Sequence, residues 1–162
     1  MQDESLRFIR LGTFLERADN TARILEVKYL NLLPGAEEDV HTADYYQWSA
    51  LLHSVSAFEV YRRVYRDQIT PLRVAELLVL RADMPRSLAR SMKEVYSNLT
   101  RLSNVRSAET ERLAGELESH LHFGRIESIF EGGFRKYLED FRDRIFDLGC
   151  RISDDFLIPT TA

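Results

Sequence analysis

An all-α domain, an antiparallel helical bundle of six or seven helices, is what this sequence predicts, on three observations. Apolar residues recur at steps of three and four through almost the whole chain. Glycine and proline are scarce, 7 and 4 in 162 residues, too few to turn a chain repeatedly into a sheet. Hydrophobic residues make up 44% and charged ones 30%, the composition of a globular domain rather than of a disordered chain. This length suits a single domain, and neither a long linker nor a low-complexity tract divides it.

The first helix is expected over residues 4–32, with Leu11, Leu15, Ala18, Ala22, Leu25 and Tyr29 as its apolar repeat. Pro34-Gly35 ends it, and an acidic loop follows as far as His41. A second helix is expected over 42–66, with Trp48, Leu51, Leu52, Val55, Phe58 and Tyr65 facing inward. Thr70-Pro71 reads as an N-cap followed by a first-turn proline, which opens a short helix over 72–80. A turn over 82–85 places Pro85 in the first turn of the next helix, which runs to about Leu102 and buries Leu88, Met92, Val95 and Leu99. Another helix starts near Ser107 and is closed by Gly124 as a C-cap. The tail, 126–156, repeats Phe130, Phe134, Leu138, Phe141, Ile145 and Leu148, and Gly132-Gly133 kinks or splits it.

Charge and residue usage exclude several functions. A net charge of −4 opposes general nucleic-acid binding, which needs a basic field to displace counterions from phosphates. The run Tyr61-Arg62-Arg63-Val64-Tyr65-Arg66 therefore reads as a solvated helix face rather than a stacking platform. Cys150 is the single cysteine, which excludes an internal disulfide and suits a reducing compartment, and it reads as a small packing hydrophobe. The acidic start, Met1-Gln2-Asp3-Glu4, does not read as a signal peptide, and no window approaches the roughly 20 apolar residues of a membrane span. A cytoplasmic protein without a membrane partner is expected. The four histidines, His41, His53, His120 and His122, include one Glu-x-x-His match, Glu38 to His41 in an expected loop, so no metal site is expected. Without a Gly-rich phosphate loop or a nucleophile elbow, no cofactor is expected, and any ATP chemistry belongs to a partner.

One polar constellation stands out. At about 100° per residue, Gly12, Glu16, Asp19, Arg23 and Glu26 form one stripe of the first helix, between Leu15 and Ala22 on one side and Ile9 and Val27 on the other. Charges flanked by apolar strips are expected to be shielded, and shielded charges persist only when paired, here with each other or with the 83–87 turn. Gly12 would let another chain or a ligand approach closely. The stripe is either an ion-pair network that fixes helix register or a polar pocket in the bundle, with Glu16 and Asp19 as acid/base candidates and Arg23 orienting an anion. Arg86 and Ser87, at a helix start, suggest an anion site, against simple capping by Asp83.

The run from Leu11 to Val27, which contains Leu15-Glu16-Arg17-Ala18-Asp19-Asn20-Thr21-Ala22-Arg23, resembles the signature of the bacterial alpha-E domain family. The later segment ending Asp83-Met84-Pro85-Arg86-Ser87 is similar to that family's apolar helix and Pro-Arg-Ser turn, in the same order and spacing. The resemblance covers nearly the whole chain. Typical members contain two related helical halves, and residues 1–162 look like the second. Members are typically encoded beside, or fused to, ATP-grasp peptide ligase-like and transglutaminase-like proteins, which implies a role in making or modifying a peptide or amide-linked product. The resemblance implies a helical accessory domain with such a protein, or a missing N-terminal half, or a second copy, as its partner. An enzyme of the same pathway that uses the Glu16–Asp19 pocket, and a purely structural interaction domain, are the alternatives.

Overall fold

The computed structural model describes residues 2–30 and 40–157. Eight helices follow one another: α1 (Gln2–Leu30), α2 (Val40–Ser54), α3 (Phe58–Tyr65), α4 (Pro71–Val79), α5 (Leu88–Leu102), α6 (Ala108–His122), α7 (Ile126–Glu131) and α8 (Phe134–Ile152). A π-helical turn, Ser153–Leu157, extends α8, and no strand occurs among the described residues. The fold is all-α, as the periodicity requires. The Pro34-Gly35 break and the acidic loop before α2 lie outside the described residues.

α1, α5, α6 and α8 alternate in direction. Phe8 meets Phe156 with ring centroids 5.6 Å apart, while Tyr29 meets Phe134 at 4.4 Å, so α1 and α8 are antiparallel. Thr110 Oγ1 donates to Asp155 (2.5 Å) and Arg144 reaches Glu116 (3.0 Å), so α6 opposes α8 in the same way. α5 begins beside the middle of α1, where Thr21 Oγ1 donates to the Arg86 carbonyl (2.8 Å), and it ends at the turn into α6. That turn lies at the Phe8–Phe156 end, because Asn104 donates to the Asp155 carbonyl, so α5 runs against α1. α2, α4 and α7 close the opposite end: the Tyr29 hydroxyl donates to the Pro71 carbonyl, and its ring packs on Trp48, Phe130 and Phe134. Leu11, Ala18, Ala22 and Leu25 of α1, Leu88, Met92, Val95 and Leu99 of α5, and Leu138, Phe141, Ile145 and Leu148 of α8 share one buried core with Trp48 and Tyr61.

Local chemistry sets the element ends. Thr70 caps α4 by accepting from the Arg73 amide, with Pro71 in the first turn. The helix expected over 42–66 is instead two, because Ser56 adopts a left-handed φ of 55° and the Ala57 amide turns back to the Leu52 carbonyl. That break buries Val55 and Ala57 and lets α3 fold against the core. Pro85 precedes α5 rather than opening it, because Ser87 takes the cap, with its hydroxyl accepting from the Arg90 amide (2.9 Å) and donating to the Arg81 carbonyl (2.6 Å). Gly132-Gly133 does split the tail, with Gly133 at φ 96°. Gly124 is needed for closeness rather than for a left-handed cap: a Cβ there would lie 2.8 Å from the His120 carbonyl.

Candidate functional site

The charged stripe of α1 faces α8, and the two helices form an open groove of about 590 Å³ between them. Glu16, Asp19 and Arg23 line one wall, and Arg142, Asp143, Phe146, Gly149 and Cys150 line the other. Arg23 Nε donates to Asp19 (2.6 Å), Arg142 Nε donates to the other Asp19 oxygen (3.2 Å), and Arg142 Nη1 donates to Glu26 (2.7 Å). Four charges thus cancel in one chain, Arg23–Asp19–Arg142–Glu26. Glu16 and Asp143 line the groove without an ion pair among the described residues.

The expected shielding of the stripe is corrected. Glu16 and Gly12 are exposed, and the Arg23 side chain keeps 56% of its surface. The buried end of the network is Arg142 with Glu26, at 24% and 16%. The cause is one-sided packing: Leu11, Ala18, Ala22 and Leu25 enter the core, whereas Ile9 and Val27 stay 66% and 61% exposed. The outer apolar strip therefore never draws the stripe inward. Neither Glu16 nor Arg23 hydrogen-bonds to the 83–87 turn among the described residues. Arg17 does, donating to the Pro85 carbonyl (3.3 Å) and lying over the Phe14 ring, and so does Thr21.

The second candidate constellation is structural in its polar contacts. Ser87 is fully buried and its hydroxyl is committed at both lone pair and proton, while Asp83 pairs with Arg81 (2.6 Å) instead of capping α5. Arg86 is exposed, and its carbonyl serves Thr21. The structure therefore brings Glu16, Asp19 and Arg23 together with α8 and leaves Arg86 and Ser87 apart from them. Cys150 is exposed on the groove rather than packed. His53 stacks on Phe58, His120 contacts Arg144 and His122 meets Phe123 edge-on. No group of three metal-binding side chains occurs among the described residues, and no described helix is long and apolar enough to cross a membrane.

Arg142 was the residue that reasoning along α1 could not supply. Its signal lay in the tail: it stands four residues after Leu138 and three before Ile145, a charge set into an apolar helical face. Such a charge demands a partner, and the α1 carboxylates provide it.

These features define an all-α bundle domain with a charged groove between its first and last long helices. The chain belongs to the Alpha-E family, described as a predicted alpha-helical domain with a conserved ER motif, whose model matches residues 1–157. The Glu-Arg pair of the α1 run is Glu16-Arg17, which points one residue into the groove and the other at the 83–87 turn. No curated protein and no solved structure matches the chain.

Proposed function

We propose that this domain is a helical accessory module whose α1–α8 groove receives a partner protein. The observation that carries the reading is a pair of glycines. Gly12 continues the charged stripe one turn before Glu16, and Gly149 lines the opposite wall. Both sit inside long helices, where glycine costs roughly 0.5–1 kcal/mol relative to alanine. Beyond the helix's own backbone, no atom of the described residues lies within 4 Å of where either Cβ would be, so the fold gains no close packing from them. In the same groove Phe146 on α8, 74% exposed, offers an apolar anchor beside Leu15, with Glu16 and Asp143 unpaired among the described residues. Bare helix backbone, exposed apolar side chains and a charged rim are what an interface core and rim require.

Resemblance to alpha-E domains encoded with ATP-grasp peptide ligase-like proteins supports that class of partner, acting in the synthesis or modification of a peptide or amide-linked product. The related helical half found in longer members, or a second copy of this chain, would use the same exposed α1 face. Titration calorimetry of the chain against an ATP-grasp peptide ligase-like protein should show saturable binding that Phe146→Asp and Gly149→Leu abolish without lowering the urea midpoint. Binding unaffected by both substitutions would overturn the reading. The enzyme alternative is favoured instead if Glu16→Gln with Asp19→Asn stops product formation in the mixture while the complex still forms.

A further inference from the structure

A second concavity lies at the other side of α8, walled by the end of α6, by α7 and by the start of α8, with a volume of about 720 Å³. Its chemistry is opposite to that of the α1–α8 groove. Arg125 and Lys136 line it, and neither side chain makes an ion pair or hydrogen bond among the described residues. Asp140 is the single carboxylate in the lining, so the wall carries two fixed cations against one anion, in a chain whose net charge is −4. Nine of the 19 arginines pair with carboxylates among the described residues, and two of these pairs stand nearby: Arg112 bridges Glu109 and Glu116, and Arg135 holds Glu139 one turn from Lys136. Two cations left together at a concavity form a local positive field that an incoming anion would complete.

The same wall holds a half-buried donor without an acceptor. Burial pushes the Tyr137 phenol up to about 12, which keeps its proton in place at neutral pH, yet the hydroxyl makes no hydrogen bond among the described residues. The hydroxyl is not sealed from water, so it is free to donate to an incoming ligand. Phe123, 79% exposed, and Ile129 add apolar surface beside these polar groups. The backbone that shapes the site is held by two glycines that the fold does require. At Gly124 a Cβ would clash with the His120 carbonyl, and Gly133 takes a positive φ. The concavity is thus a fixed feature of the turn on each side of α7 rather than a gap between mobile side chains.

The geometry points to a binding site for a small organic anion, a carboxylate or phosphate attached to an aromatic or aliphatic body, held by Arg125 and Lys136 with the Tyr137 hydroxyl as neutral donor. Its volume lies within the ordinary range of about 300–1,000 Å³ for small-molecule pockets. The inference does not rest on the partner-docking role of the α1–α8 groove, and either can fail alone.

Amide NMR titrations of the full chain with phenyl phosphate and with phenylacetate test it. We expect saturable shifts confined to the Gly124–Arg125 turn and the Gly132–Tyr137 segment, and the tighter of the two probes identifies the anion class. Arg125→Ala with Lys136→Ala should weaken that probe about tenfold or more, and Tyr137→Phe severalfold. Both cations are exposed, so these variants should keep the wild-type amide spectrum elsewhere. Shifts scattered over cations across the surface, an unchanged affinity in the double variant, or no saturation with either probe would each overturn the assignment.

Discussion

Arg142 and Arg23 hold the same carboxylate, Asp19, yet they should differ sharply in what their loss costs. Arg23→Ala removes an i, i+4 pair whose guanidinium is more than half exposed, and the expected loss is under about 1 kcal/mol in urea unfolding. Arg142→Ala leaves Glu26, at 16% exposure, without its partner, and should cost about 1–3 kcal/mol, between the surface and the fully buried cases. Equal urea midpoints for the two variants would show that the network contributes nothing beyond surface pairing. Ser91 is a residue of the opposite kind: its hydroxyl is fully buried on α5 and has no hydrogen-bond partner among the described residues. Ser91→Ala should therefore raise stability by roughly 1 kcal/mol, and a lowered thermal midpoint would mean that the hydroxyl is satisfied in solution. The sequence made the stripe of Glu16, Asp19 and Arg23 legible because a helical face can be drawn from one segment. It could not make its burial legible, because that depended on whether α8 covers both flanks of α1 or one. Arg142 covers one.

At the level of elements, periodicity placed the helices and the inward residues of α1, α5 and α8, since period 3.6 is the signature of burial on one face, but it left Tyr61, read as part of a solvated face, to be found fully buried. The division of α2 from α3 was not legible: Ser56 is no usual left-handed residue, and the turn there exists because tertiary packing draws Val55, Ala57 and Tyr61 inward. Gly124 shows a related limit, for its place after α6 was readable while the reason for it, contact with the His120 carbonyl, was not. Gly124→Ala should consequently cost about 2 kcal/mol or more, because backbone cannot give way as a flexible side chain can. Gly133→Ala should cost about 1–2 kcal/mol from its positive φ alone. Thermal unfolding of both variants checks these values, and wild-type midpoints would remove the argument that α7 is held by fixed turns.

The whole molecule buries its phenols more than its carboxylates, and its pH response should follow. Burial raises the pKa of Tyr29, of Tyr65 (with the Glu76 hydrogen bond adding to it) and of Tyr137 above the ordinary value near 10. A group whose folded pKa is raised contributes stability that is complete below its unfolded pKa and is lost as pH climbs through the folded one. Unfolding free energy should thus hold steady up to about pH 10 and fall beyond it, toward and past the value of about 12 for Tyr137. A flat profile to pH 12 would place these rings in water. The central claim, that the α1–α8 groove is kept open for a partner rather than for the fold, meets its most direct test in the urea titration of Gly12→Ala with Gly149→Ala. Both alanines would enter helix interiors where, beyond the helix's own backbone, no atom of the described residues lies within 4 Å of the new Cβ, so the double variant should gain roughly 1–2 kcal/mol over wild type. A midpoint below wild type would mean that the fold itself needs these glycines, and would contradict the account.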